Sequence, residues 1–172
     1  FHKERRVFAA CAGAAIYRRS VLEELGLFDE RHFAYLEDID IGYRARIRGY
    51  ENWYAPGAVV YHLGSATSGS AHNAFKVSLA SRNSVYLVWK NMPVPQILLN
   101  APFLLAGFLI KAVYFAGKGF GSQYLAGLAK GILMCRPQDR VPFQKKNLKY
   151  YGKIQLELWY NMIRRLAGAL PF

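Results

Sequence analysis

From Ile97 to Gly117 the chain is apolar except at a few positions such as Asn100, Pro102 and Lys111, and no other stretch limits its folding options so strongly. A helix that crosses a bilayer needs about 20 apolar residues. The run has that length, but a proline and a lysine interrupt it. A second apolar piece, Tyr124 to Cys135, follows a glycine-rich break. Two arrangements suit these residues: a helix pair lying in or dipping into the membrane interface, or one true span. A buried helix of a soluble protein ranks third.

Charge points the same way. Residues 93–172 hold 11 Lys and Arg against 2 Asp and Glu, whereas residues 1–92 hold 12 against 9, so the second part carries most of the net charge of +12. A basic, aromatic-rich segment with few acids suits an anionic membrane surface. From Arg136 to Arg165, cations alternate with Phe143, Tyr150, Tyr151, Trp159 and Tyr160, a mixture expected where rings and cations meet lipid headgroups. Nucleic acid is the competing partner for such charge, but no nucleic-acid motif supports it, and no nucleic acid is expected.

The chain opens on Phe1-His2-Lys3-Glu4-Arg5-Arg6, with neither an initiator methionine nor a signal-peptide pattern, and reads as a piece of a longer polypeptide. Cys11 and Cys135 match no metal or redox spacing and read as two reduced thiols in a cytoplasmic protein.

The first part is organised around Tyr35-Leu36-Glu37-Asp38-Ile39-Asp40-Ile41-Gly42-Tyr43-Arg44. Leu36, Ile39, Tyr43, Ile47 and Tyr50 follow steps of three and four, which predicts a helix with that face in the core and the charges off it. Asp40 and Arg44 are one turn apart and can pair as a helix brace. Glu37 and Asp38 fall at the helix start, where N–H groups and the helix dipole favour negative charge. An acidic first turn is common, so these residues alone are also consistent with a helix N-terminus and nothing more.

Around this helix, Val7 to Tyr17 is small and apolar, fitting either a close approach to the backbone or a tightly packed strand and turn. Ser20 and Glu23 have capping-box spacing, with Gly26 as the stop of a short helix. Gly49 marks the end of the acidic helix. Asn52–Tyr54 and Ala58–Leu63 read as two short strands around the turn Ala55-Pro56-Gly57. The polar loop Gly64 to Ser70 suits either a lid or an ordinary solvent loop. A helix from about Ala74 to Lys90 carries Arg82 and Asn83 midway and ends before Pro93 and Pro95.

The ordered set Gly13-Ala14-Ala15-Ile16-Tyr17-Arg18-Arg19, Leu25-Gly26-Leu27-Phe28-Asp29-Glu30, Tyr35 to Arg44, Gly49-Tyr50, Pro56-Gly57-Ala58 and Tyr61-His62 resembles the C-terminal half of the family-2 inverting glycosyltransferases with the GT-A fold. Its flavour is that of the rhamnosyltransferase-like branch that builds bacterial surface polysaccharides. The match covers about residues 8–92, and its specificity lies in several motifs occurring in the right order.

The resemblance implies an α/β fold class. Residues 1–92 would form the C-terminal part of a GT-A, Rossmann-like catalytic domain, and residues 93–172 a helical, basic, membrane-associating region. It also implies an enzyme that transfers a sugar, rhamnose being the one suggested, from a nucleotide-sugar donor to a lipid-linked or polysaccharide acceptor with inversion. Asp38 would be the general base, taking a proton from the acceptor hydroxyl as that oxygen attacks the anomeric carbon. Glu37, Gly13, Ala14 and Arg82 would position substrate or acceptor, although Arg82 could equally be a helix-surface charge. His62 would complete a site for Mn2+ or Mg2+, offsetting diphosphate charge in the leaving group. The enzyme would act at the cytoplasmic face of the cell membrane, peripherally or with one membrane segment.

The chain departs from the family pattern in one large respect. The nucleotide-binding half and its Asp-x-Asp motif are not in these residues, since Asp38-Ile39-Asp40 sits on the wrong element, so the chain is expected to be inactive alone. The rival readings are a non-catalytic basic module bound to the membrane, and a degenerate transferase relative. Metal-dependent release of nucleotide from a sugar donor would separate them from an active enzyme.

Overall fold

The computed structural model of the chain describes residues 3–61 and 72–168. Six helices and one small sheet follow each other: β1 (Arg5–Val7), α1 (Arg19–Leu25), α2 (Glu37–Ile47), β2 (Asn52–Tyr54), α3 (Ala74–Asn91), α4 (Val94–Gly117), α5 (Gly121–Met134) and α6 (Leu148–Leu166). Short 3₁₀ turns at Ala12–Ala14, Glu30–His32, Pro137–Asp139 and Lys145–Asn147 join them. The strands pair antiparallel, with Arg5 opposite Tyr54 and Val7 opposite Asn52.

The described residues are therefore mostly helical, and the α/β character expected for the first part reduces to a two-stranded ribbon. The strand expected from Ala58 does not form over residues 58–61. Val59, Val60 and Tyr61 stand exposed there. Strand propensity makes a strand only where a neighbour accepts its hydrogen bonds. The capping box also fails to form: the N-cap of α1 is Arg18, and Glu23 pairs with Arg19 at 2.7 Å instead of reaching back to Ser20. Gly26 ends α1 at φ 71°, as its position after Leu25 predicts.

Helix α2 differs from the amphipathic helix that its spacing predicts. Every residue from Asp40 to Ala45 is buried, and so is Ile47. Tyr43 and Ile47 join Met92, Tyr151 and Ile154 in one apolar cluster, while Ile41 and Ala45 pack on Leu25 in another. With neighbours on both sides, the helix buries Asp40 and Arg44 along with its apolar residues, and Glu37, Asp38 and Arg46 stay partly exposed. Gly42 is the contact point with the small-residue stretch, since a Cβ there would lie 2.4 Å from that of Ala9.

Helices α3 and α5 pack closely over Gly127 and Gly131. A Cβ at Gly127 would fall 1.9 Å from Ser81 Oγ, and one at Gly131 would fall 2.5 Å from the Arg82 carbonyl. Helix α4 covers the whole apolar run and contains Pro102. Its outer side chains, among them Leu98, Leu105, Leu109 and Ile110, are exposed, and the polar Gln96 and Asn100 are its buried residues. That inversion is opposite to the core helix of a soluble protein, the third option above. It is the one helix among the described residues long and apolar enough to cross a membrane.

Candidate active site

The acidic helix begins from a strained turn. Phe33, Tyr35 and Leu36 have φ of 62°, 67° and 70°, a region that side-chain-bearing residues rarely occupy. Such a turn persists only where its surroundings over-determine it. Two adjacent residues of α3 do so. The Asn83 side-chain amide donates to the carbonyls of His32, Ala34 and Tyr35 at 2.8–2.9 Å. Arg82 Nη2 donates to the carbonyls of Arg31 and His32 at 2.9 Å. Arg82 also reaches Asn83 Oδ1 through Nε at 2.9 Å. The structure thus places the Arg82 guanidinium against this backbone.

Held in this way, the turn presents Glu37 and Asp38 in the first turn of α2. Asp38 is half-buried. Its Oδ1 accepts from its neighbour's amide, Ile39 N, at 2.8 Å, and its Oδ2 accepts from Ala12 N at 3.2 Å. The second bond links the base of α2 to the 3₁₀ turn Ala12–Ala14, which brings exposed Gly13 and Ala14 to the neighbourhood of Asp38. Glu37 Oε2 is buried and has no partner among the described residues.

Asp40, two residues on, is in a different environment. It is fully buried, and Oδ2 accepts from Arg44 Nε and Nη2 at 2.9 and 2.7 Å and from Lys90 Nζ at 2.9 Å. Asn91 Nδ2 donates to Oδ1 at 2.8 Å. Lys90 also reaches Asp29 Oδ2 at 2.7 Å, where Tyr86 donates at 2.9 Å. Arg44 Nη1 and Nη2 donate onward to the carbonyls of Leu25, Gly26 and Leu27, which satisfies the end of α1. Two carboxylates and two cations thus balance in the interior, and Asp40 has no lone pair facing solvent. Burial pushes the Asp29 carboxyl up, but Lys90, the Arg31 amide and Tyr86 outweigh it and bring the pKa to about 2.

Sequence reasoning did not find Asp29, His32, Asn83, Lys90 or Asn91 as parts of this site. One signal was there: Asn83 and Lys90 are two turns apart on one face of the helix, next to Arg82 and Asn91. His62 and the loop from Gly64 to Ser70 lie outside the described residues. Among the described residues no group of three His, Cys, Asp or Glu side chains could hold a metal ion. The described donors do not by themselves make up a metal site, and His62 is not among them. A cleft of about 470 Å³ beside α1 and α2 is lined by Ile41 and Ala45 but not by Asp38.

A half-buried carboxylate thus stands on a braced helix next to a strained turn, in a stretch of chain that is similar to known proteins. Residues 1–84, just under half of the chain, match the family model for glycosyltransferase-like family 2. The chain is also similar to rhamnosyltransferases: the N-acetylglucosaminyl-diphospho-decaprenol L-rhamnosyltransferases of two strains of Mycobacterium tuberculosis are 34% identical to it over 89 residues. The aligned part is 47% of this chain and 29% of each relative, so the chain spans less than a third of their length. No solved structure matches the chain.

Proposed function

We propose that residues 1–92 supply the C-terminal part of a GT-A catalytic domain, which transfers a sugar with inversion from a nucleotide-sugar donor to a lipid-linked acceptor. Asp38 is the general base of this reading. One observation carries it: of the two aspartates in the first turns of α2, Asp40 is consumed by Arg44, Lys90 and Asn91, whereas Asp38 is half-buried and held only by backbone amides. A base must reach the acceptor hydroxyl, and among these two that leaves Asp38. The unpartnered Glu37 Oε2 beside it is a ready acceptor for a second hydroxyl of the incoming sugar.

The relatives act, by name, on a diphospho-decaprenol carrier and transfer L-rhamnose, which supports a rhamnosyl donor and a polyprenyl-diphosphate acceptor here. The exposed apolar α4 and the basic residues of 93–172 support a place at the cytoplasmic membrane face, where such a carrier is presented. A role for His62 in holding Mn2+ or Mg2+ belongs to the same proposal, and no step described above passes through a metal.

The test is a pair of substitutions in the full-length protein. Asp38→Asn is expected to lower transfer at least a thousandfold with the melting temperature and donor binding near wild type. Asp40→Asn is expected to lose activity together with stability, because it leaves Lys90 and Arg44 under-paired in the interior at a cost of about 3–5 kcal/mol. Turnover within tenfold of wild type in Asp38→Asn would remove Asp38 from the role of base.

A further inference from the structure

Away from α2, the start of α4, the segment 137–143 and α6 enclose a groove of about 820 Å³. Its walls are largely apolar, among them Val94, Leu99, Pro142, Phe143, Leu148 and Tyr151. Arg140 sits in this wall with an unusual deficit. Its Nη2 donates to the Met92 carbonyl at 2.6 Å and its guanidinium stacks 4.5 Å over the Trp89 ring, but Nη1 is buried and has no partner among the described residues. A buried, unpaired donor on a cation is costly, and an anionic oxygen is the group that best relieves it.

We propose that this groove seats the isoprenoid chain of the lipid-linked acceptor, with Arg140 meeting the diphosphate at its head. The inference rests on the acceptor class proposed above. Three observations choose this occupant. Charge is complementary to a diphosphate: Arg140 is the one charged residue among the described residues that line the groove, and the acid beside it in sequence, Asp139, is itself paired with Arg31. The apolar wall is continuous with a membrane-facing surface, since Leu99 lines the groove and the exposed Leu98, Leu105 and Leu109 extend it along α4. The groove also adjoins α2, the helix that carries Asp38. Gln96 in its wall accepts a hydrogen bond from Tyr43 of α2 at 2.8 Å and donates to Gln155, also in the wall, at 3.0 Å.

The volume lies within the ~300–1,000 Å³ of pockets for single small ligands. It therefore holds the units nearest the diphosphate, and the rest of a long chain leaves along α4 into the bilayer. Arg140 fixes the head, while the apolar walls select a hydrocarbon chain over a free sugar phosphate.

Gly152 allows a clean test. It lines the groove on α6, and a Cβ there meets nothing within 4 Å, so a larger side chain fills the groove without disturbing the fold. Geranylgeranyl diphosphate is titrated into the full-length protein with tryptophan fluorescence as the readout, using Trp89 beside Arg140 as the natural reporter. Saturable binding is expected, weakened at least tenfold by Gly152→Phe and less than twofold by Gly152→Ala. Inorganic diphosphate is expected to bind at least a hundredfold more weakly. Equal affinity in Gly152→Phe and wild type would overturn the proposal. So would phosphatidylglycerol vesicles that give the same Gly152→Phe-sensitive change without geranylgeranyl diphosphate, because the groove would then hold bilayer lipid. The assay needs no turnover, so the two readings fail separately. Gly152→Phe-sensitive binding in a protein that transfers no sugar keeps the groove and removes the enzyme, and active transfer with insensitive binding does the reverse.

Discussion

His32 shows how the interior beneath the acidic helix is tuned. It is fully buried against the Tyr86 ring at 5.2 Å, and neither ring nitrogen has a hydrogen-bond partner among the described residues. Burial lowers its pKa; Asp40 and Asp29 pull it up, Lys90 and Arg44 push it down, and the net shift is downward. In the unfolded chain the ring gains its proton near pH 6.5. The folded ring stays neutral to lower pH, so below about 6.5 the unfolded state binds more protons and stability falls as pH falls, until the folded ring titrates too. The urea midpoint is expected to drop between pH 7 and pH 5, and His32→Phe, which keeps a ring against Tyr86, is expected to flatten that slope. A slope unchanged in His32→Phe would assign the effect to another histidine. None of this was legible beforehand, because a histidine in Glu30-Arg31-His32-Phe33 reads as part of a polar turn. Its burial depends on Tyr86, 54 positions away.

At the scale of the element, helices α3, α4 and α5 lie close to where hydrophobic runs, prolines and glycines place them. What periodicity did not supply was how α3 and α5 meet. Gly127 and Gly131 are one turn apart and remove the side chains that would hold the helices away from each other, as in the close crossings of membrane helices. Gly127→Ala is expected to destabilise the protein by about 1–3 kcal/mol, as overpacking does. On α4, Gly107→Ala adds a Cβ that meets nothing within 4 Å, so it is expected to be neutral or stabilising by up to ~1 kcal/mol. Chemical denaturation of the two variants checks the contrast, and equal effects would mean that the crossing is looser than described. Both are helical glycines in an apolar context, and sequence alone gives no reason to rank one above the other.

For the whole molecule, the first part and the basic second part share a core in which Tyr43 and Ile47 of α2 meet Tyr151 and Ile154 of α6. The outer side of α4 remains apolar and exposed. The protein is expected to bind phosphatidylglycerol vesicles more tightly than neutral ones. More than half should remain bound at 1 M salt, where the screening length is ~3 Å and attraction by Lys and Arg is largely gone. Complete release by salt would mean that charge alone holds the protein to lipid and that α4 does not enter the bilayer. The apolar run, the charge asymmetry, the acidic helix and the ordered family motifs were determined by the sequence itself, because each depends on residues close together along the chain. The tertiary structure alone decided that Asp40 is interior and Asp38 accessible, that Arg82 and Asn83 hold a strained turn, and that Arg140 faces an apolar groove. Those outcomes depend on which distant groups arrive beside a side chain, and two aspartates separated by one residue carry no local mark of the difference.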